Sequence, residues 1–198
     1  MSLSPSKSTV SAVAPVFAKV FEMFTGGFSL TTTGFNTGVK LPAGALLRVS
    51  ESARTATPIK TTRLTAVTTG ATAIEKTYYF AADHHFQVGD YFGHSEGTGA
   101  RGQTITAIES ASTGSKVTAT GPTAARAAVN AVIYETATGA TSTIKTVANT
   151  VSAYEVEIES GAFVTALRRG TAYKNRVQPH VAGHLADINA SIQFSESY

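Results

Sequence analysis

Hydrophobic and polar positions alternate in short runs over residues 41–136. The alternation is strict at residues 103–108 and 116–120, so that every second side chain would face the same side of a strand. Turn signals containing glycine separate these runs at a spacing of roughly 8–12 residues, which is typical of antiparallel sandwiches and barrels. The pattern predicts a mainly β protein, either an antiparallel β-sandwich or a small β-barrel, built from short strands.

Residues 1–40 follow a different pattern. Apolar residues recur there at steps of three and four positions, which is the period of a helix face, until the pattern stops at Gly26. We therefore expect an N-terminal arm that is helical or extended. The recurring residues are Val10, Val13, Phe17, Val20, Phe21 and Phe24.

Few charges accompany the aromatic side chains of this arm, so another surface must cover them. Either the arm packs on its own domain, or it docks on a partner or on symmetric copies of the chain. In the second interpretation the arm is an anchor, and its phenylalanines are the candidate contact residues. These are Phe17, Phe21, Phe24, Phe28 and Phe35.

Three further segments follow the arm. Residues 41–136 form the predicted β domain, and residues 137–150 are poor in charge and turn-like, which indicates a linker or long loop. Residues 151–198 alternate again and are predicted to be a β-rich C-terminal segment, which could complete the same domain.

Composition narrows the possible functions. The chain has 198 residues, and only 15% of them are charged, against about 25% in an average protein. The absence of cysteine excludes disulfides, thiolate metal sites and cysteine nucleophiles. A net charge of +3 is too small to indicate nucleic-acid binding. No apolar run reaches the roughly 18 residues of a membrane span, and no signal peptide is evident, so we expect cytoplasmic synthesis and no membrane partner.

Candidate metal ligands cluster at Asp83, His84 and His85, with Asp90 and His94 nearby in the sequence. Adjacent residues of a strand point to opposite faces, so the two neighbouring imidazoles would not bind one ion within one chain. Identical histidines of three chains could do so at a threefold axis. Structural histidines in a turn are the favoured interpretation, and we predict neither a metal nor another cofactor.

Catalytic motifs are weak. Residues 97–102 match the Gly-x-Gly-x-x-Gly spacing, but a strand follows them where a nucleotide-binding motif needs a helix. The acids at 155, 157 and 159 alternate on one strand, which favours a solvated face over a catalytic carboxylate pair. We therefore predict that the protein is not an enzyme. A basic stretch at Arg168 and Arg169, with residues 174–176, could contact an acidic partner surface.

Most of residues 41–198 resembles the head fibre proteins of tailed bacteriophages, chiefly those of Bacteroidetes hosts. Residues 41–50 and 57–64 resemble the opening of these proteins, and residues 85–91 resemble their module with a Val-Gly-Asp turn. Residues 168–177 and 188–195 are similar to their C-terminal segment.

The resemblance implies a structural virion protein on the outer surface of a phage head. Such a protein would be assembled in the host cytoplasm and would bind the major capsid protein as a homotrimer, with the arm as its anchor. No long shaft follows the β region, so a compact decoration protein fits as well as a projecting fibre. The alternative is an adhesin, in which Tyr78, Tyr79, Tyr91 and residues 93–102 form a platform for a host-surface glycan.

Overall fold

The structure is a computed structural model that describes residues 15–69, 75–95, 102–112, 114–121, 127–139 and 141–196. Within these ranges the protein is mainly β, as the alternation predicts, and contains no α-helix. One short 3-10 helix, Ala182–Leu185, is present in these ranges. The strands are Phe17–Met23 (β1), Phe28–Leu30 (β2), Lys40–Leu41 (β3), Leu46–Ser50 (β4), Thr55–Pro58 (β5), Thr61–Thr69 (β6), Glu75–Phe80 (β7), Tyr91–His94 (β8), Gln103–Ala111 (β9), Gly114–Thr120 (β10), Val132–Glu135 (β11), Thr150–Val151 (β12), Val156–Glu157 (β13), Phe163–Val164 (β14), Leu167–Tyr173 (β15) and Ile192–Ser195 (β16).

Six consecutive strands close into a barrel in the order β10-β7-β6-β11-β8-β9. Neighbouring strands are antiparallel throughout. Alternation explains the barrel interior, because Val117 and Ala119 of β10 are fully buried while Thr118 between them is partly exposed. The ring of Phe80 packs edge-on against Phe86 and Phe92, with centroids 5.4 Å and 5.3 Å away.

The strands that flank the barrel come from both sides of it in sequence. One sheet has the order β12-β4-β5-β2-β14, a second has the order β1-β15-β16, and β3 pairs with β13. The proposed boundary after residue 40 therefore falls inside β3. Strands of the C-terminal segment pair with β1, β2 and β3 of the N-terminal arm.

The arm was predicted to be helical or extended, and its described residues 17–23 are extended, because they form strand β1. This strand is held by antiparallel hydrogen bonding to β15, and Phe17 lies opposite Ala172. Its register shifts three times, between Phe17 and Lys19, between Val20 and Glu22, and directly after Glu22. Each irregularity breaks the two-residue period, and apolar side chains then recur at helix-like steps. Positions 10 and 13 lie outside the described residues.

Candidate functional site

β1 is the most exposed regular element of the sheet to which it belongs. It occupies one end of the order β1-β15-β16, so one of its edges has no strand partner among the described residues. Its five central residues are exposed, and the side chains of Val20 and Phe21 are 43% and 55% accessible. An open strand edge that carries large apolar side chains is typical of a surface that pairs with another chain.

Two cations hold the ring of Phe21. The Lys19 ammonium lies 4.6 Å from the ring centroid, and the guanidinium carbon of Arg169 lies 5.2 Å from it. Neither cation has a carboxylate within ion-pair distance in the described part of the chain. Arg168 differs, because it binds Glu22 at 2.8 Å. The patch of Lys19, Phe21 and Arg169, which we call the Phe21 patch, is therefore aromatic at its centre and positive at its rim.

A concave surface of about 660 Å³ lies beside the Phe21 patch. Its lining is mainly polar, because strands β15 and β16 and the residues before β16 present amides, hydroxyls and guanidinium groups there. Glu22 also lines this surface and pairs with Arg168, so Arg169 is the cation left to bind a negatively charged group next to an apolar anchor. The side chains that supply these groups are Arg168, Arg169, Thr171, Asn189, Ser191 and Gln193.

The five phenylalanines of the arm do not share one surface. Phe28 and Phe35 lie in the core of the flanking sheets, where the former is fully buried. Phe24 is partly buried and packs edge-on against Phe28, and Phe17 packs against a second core cluster that includes Leu167. Only Phe21 of the five is exposed, so a docking role for the others would require the arm to leave its own core.

The histidines of the candidate metal cluster separate in the structure. His84 accepts a hydrogen bond from the Phe86 amide through Nδ1 at 3.2 Å and lines one cavity, whereas His85 lines another. The Asp90 carboxylate forms an ion pair with Lys60, with 2.6 Å between Oδ2 and Nζ. Within the described ranges, no group of three or more metal-ligating side chains converges. Burial lowers the pKa of His84, and burial together with the charges of His84 and Lys60 lowers the pKa of His85 to about 4.

A buried lysine was not predicted from the sequence. Lys60 is 3% exposed and lies between β5 and β6, where the chain enters the barrel. Its ammonium contacts Asp90 at 2.6 Å and Glu135 at 3.7 Å, and Glu135 also binds Lys145 at 2.8 Å. A single basic residue in a polar stretch carries no sequence signal for burial, so only the fold reveals this network.

The proposed tyrosine platform is incomplete. Tyr78 is buried in the barrel, and its hydroxyl donates to Gln103 Oε1 at 2.7 Å, because the side chain points inward from β7. Tyr78 therefore cannot contact a glycan at the surface, whereas Tyr91 is exposed. The glycine-rich stretch at 97–102 lies outside the described residues except for its last position.

The chain matches no family model, no curated protein and no solved structure. Over the described residues, no helix has the length and apolar character required to cross a membrane.

Proposed function

We propose that this protein is a structural component of a phage virion. It binds the major capsid protein on the outside of the head, as a homotrimeric head fibre or decoration protein. The resemblance at residues 41–50, 57–64, 85–91, 168–177 and 188–195 supports the virion context. The structural observation that carries the binding role is the exposed strand β1, with Phe21 at the centre of an open edge.

Phe21 is proposed as the apolar anchor of the capsid contact. A few buried side chains, often aromatic residues and arginines, commonly dominate the binding energy of an interface. The irregular register of β1 disfavours long, regular strand addition, so side-chain contacts should carry most of the affinity. The Phe21 patch is thus proposed to insert its ring while its cations face the capsid surface.

Substitution of Phe21 by serine tests the anchor. Phe21→Ser should lower occupancy on heads of the encoding phage at least about tenfold, because a central aromatic contact is lost. Phe163→Ser is the matched control, because Phe163 is 67% exposed but lies on β14 in another sheet. Occupancy is measured by co-sedimentation with heads that lack the protein. Equal retention of wild type and Phe21→Ser would remove the anchor role.

The charge of the partner is tested separately. Arg169→Glu should weaken head binding, and wild-type binding should fall as salt is added, if the capsid surface is acidic. Lys116→Glu, a charge reversal on the barrel surface, is the control. An unchanged affinity for Arg169→Glu would show that the cations only hold the Phe21 ring.

The homotrimer is tested by the mass of the purified protein in solution, which should correspond to three chains.

The alternative function, an adhesin that binds a host-surface glycan, draws support from the exposure of Tyr91. Binding to a glycan array without retention on heads would favour that alternative.

A further inference from the structure

A cavity of about 230 Å³ lies between the barrel and the flanking sheets. The barrel contributes the start of β6 and the turn after β7, and the flanking part contributes the residues after β3 and those around Gln178. Most of the surface is apolar. The apolar lining residues are Leu41, Pro42, Ala81, Ala82 and Pro179.

Two buried polar side chains in this lining have no hydrogen-bond partner among the described residues. Thr61 is 5% exposed and its hydroxyl is unpaired, and His85 is 3% exposed with both ring nitrogens unpaired. More than nine in ten buried polar groups in proteins are satisfied, so two orphans in one cavity need an explanation. A bound molecule that hydrogen-bonds to both groups supplies it.

The surrounding charges favour an uncharged molecule. The carboxylate of Asp83 lines the cavity and disfavours an anion, and the buried cation Lys60, whose charge acts on His85, is already paired with Asp90 and Glu135. Arg63 lies at the exposed side of the lining and donates to the carbonyl of Asn130 at 3.2 Å. An anion placed beside His85 would therefore lose its hydration without gaining an unpaired buried cation. A neutral imidazole instead offers one donor and one acceptor, and the hydroxyl of Thr61 can act as either.

The walls of the cavity are held in place independently of any ligand. Gln178 accepts from the Leu46 amide at 2.9 Å and donates to the Ile59 carbonyl at 2.7 Å, which fixes the flanking wall to β4 and the entry to the barrel. The Phe35 ring packs edge-on against His85 at 5.8 Å. Asp83, two residues before His85, has a φ of 62°, a conformation that non-glycine residues rarely adopt. Such fixed walls are typical of a preformed binding site.

We propose that this cavity binds one small, uncharged molecule with an amide or hydroxyl head group and a compact aliphatic body. The head group hydrogen-bonds to His85 and Thr61, and the body contacts Leu41, Pro42 and Ala81. The volume equals that of about eight waters, so a ligand with up to a similar number of heavy atoms fits. The site is separate from the Phe21 patch, and the proposal does not depend on the capsid-binding function.

The test uses the full chain and three probes: isobutyramide, the isosteric anion isobutyrate, and a capped glutamine. Long-range ¹H–¹⁵N NMR spectra of the histidine rings report on His85 directly. Isobutyramide should shift the His85 resonances with a Kd of about 1–10 mM, as expected for so few atoms. Isobutyrate should bind at least about tenfold more weakly. Tighter binding of capped glutamine would identify the natural ligand as a partner side chain, and weaker binding would identify it as a free molecule.

Two variants assign the binding to the cavity. Thr61→Val and His85→Phe preserve side-chain shape, and each should weaken isobutyramide binding about tenfold through the loss of one hydrogen bond. Because His85→Phe lacks the reporting ring, binding to the wild type and all variants is compared through the shifts of their backbone amide resonances. Thr106→Val, on the outer side of β9, should leave it unchanged. Far-UV circular dichroism checks that each variant is folded. The proposal is overturned if wild-type His85 does not respond to the amide, or if both cavity variants bind it as well as wild type.

Discussion

Replacement of threonine by valine at two buried positions tests the hydrogen-bond assignment of the interior. Thr61 and Thr150 are 5% and 1% exposed, so the substitution buries a similar methyl group at both sites. The Thr61 hydroxyl has no hydrogen-bond partner in the described chain, whereas that of Thr150 donates to the Leu167 carbonyl of β15. The two variants therefore differ mainly in whether a hydrogen bond is lost.

The two substitutions are expected to change the free energy of unfolding in opposite directions. In Thr61→Val, removal of an unpaired hydroxyl and burial of a methyl group should stabilise the protein by about 1 kcal/mol. In Thr150→Val, loss of the bond to Leu167 should outweigh the methyl group and destabilise by about 1 kcal/mol. For a chain of this size, the difference of about 2 kcal/mol corresponds to a separation in Tm of roughly 4–8 °C.

Urea and thermal unfolding followed by far-UV circular dichroism measure this difference, since the chain has no tryptophan to serve as a fluorescence probe. Both variants should show the same urea m value as wild type, which confirms that the unfolding transition is unchanged. If Thr61→Val loses as much stability as Thr150→Val, the Thr61 hydroxyl makes an equally strong hydrogen bond. The reasoning from an unpaired group would then be refuted.

Three other predictions concern titration, charge and backbone geometry. Burial lowers the pKa of His85 and of His184 to about 4, against 6.5 in the unfolded chain, so the unfolded state binds more protons between these values. The free energy of unfolding should be highest above about pH 6.5 and should fall towards pH 4 by up to about 3 kcal/mol per histidine. The urea midpoints of His85→Phe and His184→Phe should therefore depend less on pH than that of the wild type. Lys60→Met should cost about 3 kcal/mol in urea unfolding, because the partly buried carboxylate of Asp90 loses its cation, whereas Glu135 keeps Lys145. A loss below about 1 kcal/mol would contradict the dependence of Asp90 on Lys60. Gly114→Ala should lower Tm much more than Gly89→Ala does. Both glycines have a positive φ, but only at position 114 would a Cβ atom overlap the backbone of β7. Equal losses in Tm would exclude this steric clash.

Local periodicity predicted the barrel strands well because their environment is regular. Residues 103–108 and 116–120 lie in β9 and β10, which pair with each other and with little disturbance of register. Periodicity did not predict strand β1, because its register shifts interrupt the alternation and its apolar residues recur at spacings of three and four. Periodicity reports the local backbone only where the ladder is regular, so an irregular edge strand is easily mistaken for a helix.

The candidate sites depend on contacts between distant parts of the chain. Arg169 reaches Phe21 only because β15 pairs with β1, and Thr61 meets His85 in a cavity that residues around Gln178 help to close. The sequence predicted that the arm's domain or a partner covers its aromatic side chains. It also predicted, on the assumption of a strand, that the two neighbouring histidines face different ways, but residues 84 and 85 lie between β7 and β8. Packing of the arm on its own domain was one of the two interpretations, but the sequence could not show that Phe28 and Phe35 are the buried ones. Their burial follows from packing of sheets that form from both ends of the chain.

The insertion of the barrel between the two halves of the flanking sheets imposes an order on folding during synthesis. The barrel strands follow one another in the sequence, so the barrel can close as soon as β11 has left the ribosome. Strand β1 can pair only after β15 has been synthesised. Glu22 and its partner Arg168 are 146 positions apart. Until then both edges of the nascent β1 lack a strand partner, which exposes it to premature pairing between neighbouring chains that are synthesised from the same mRNA. Its bulges and its lysine thus also protect the growing chain from aggregation before its own partner strand exists.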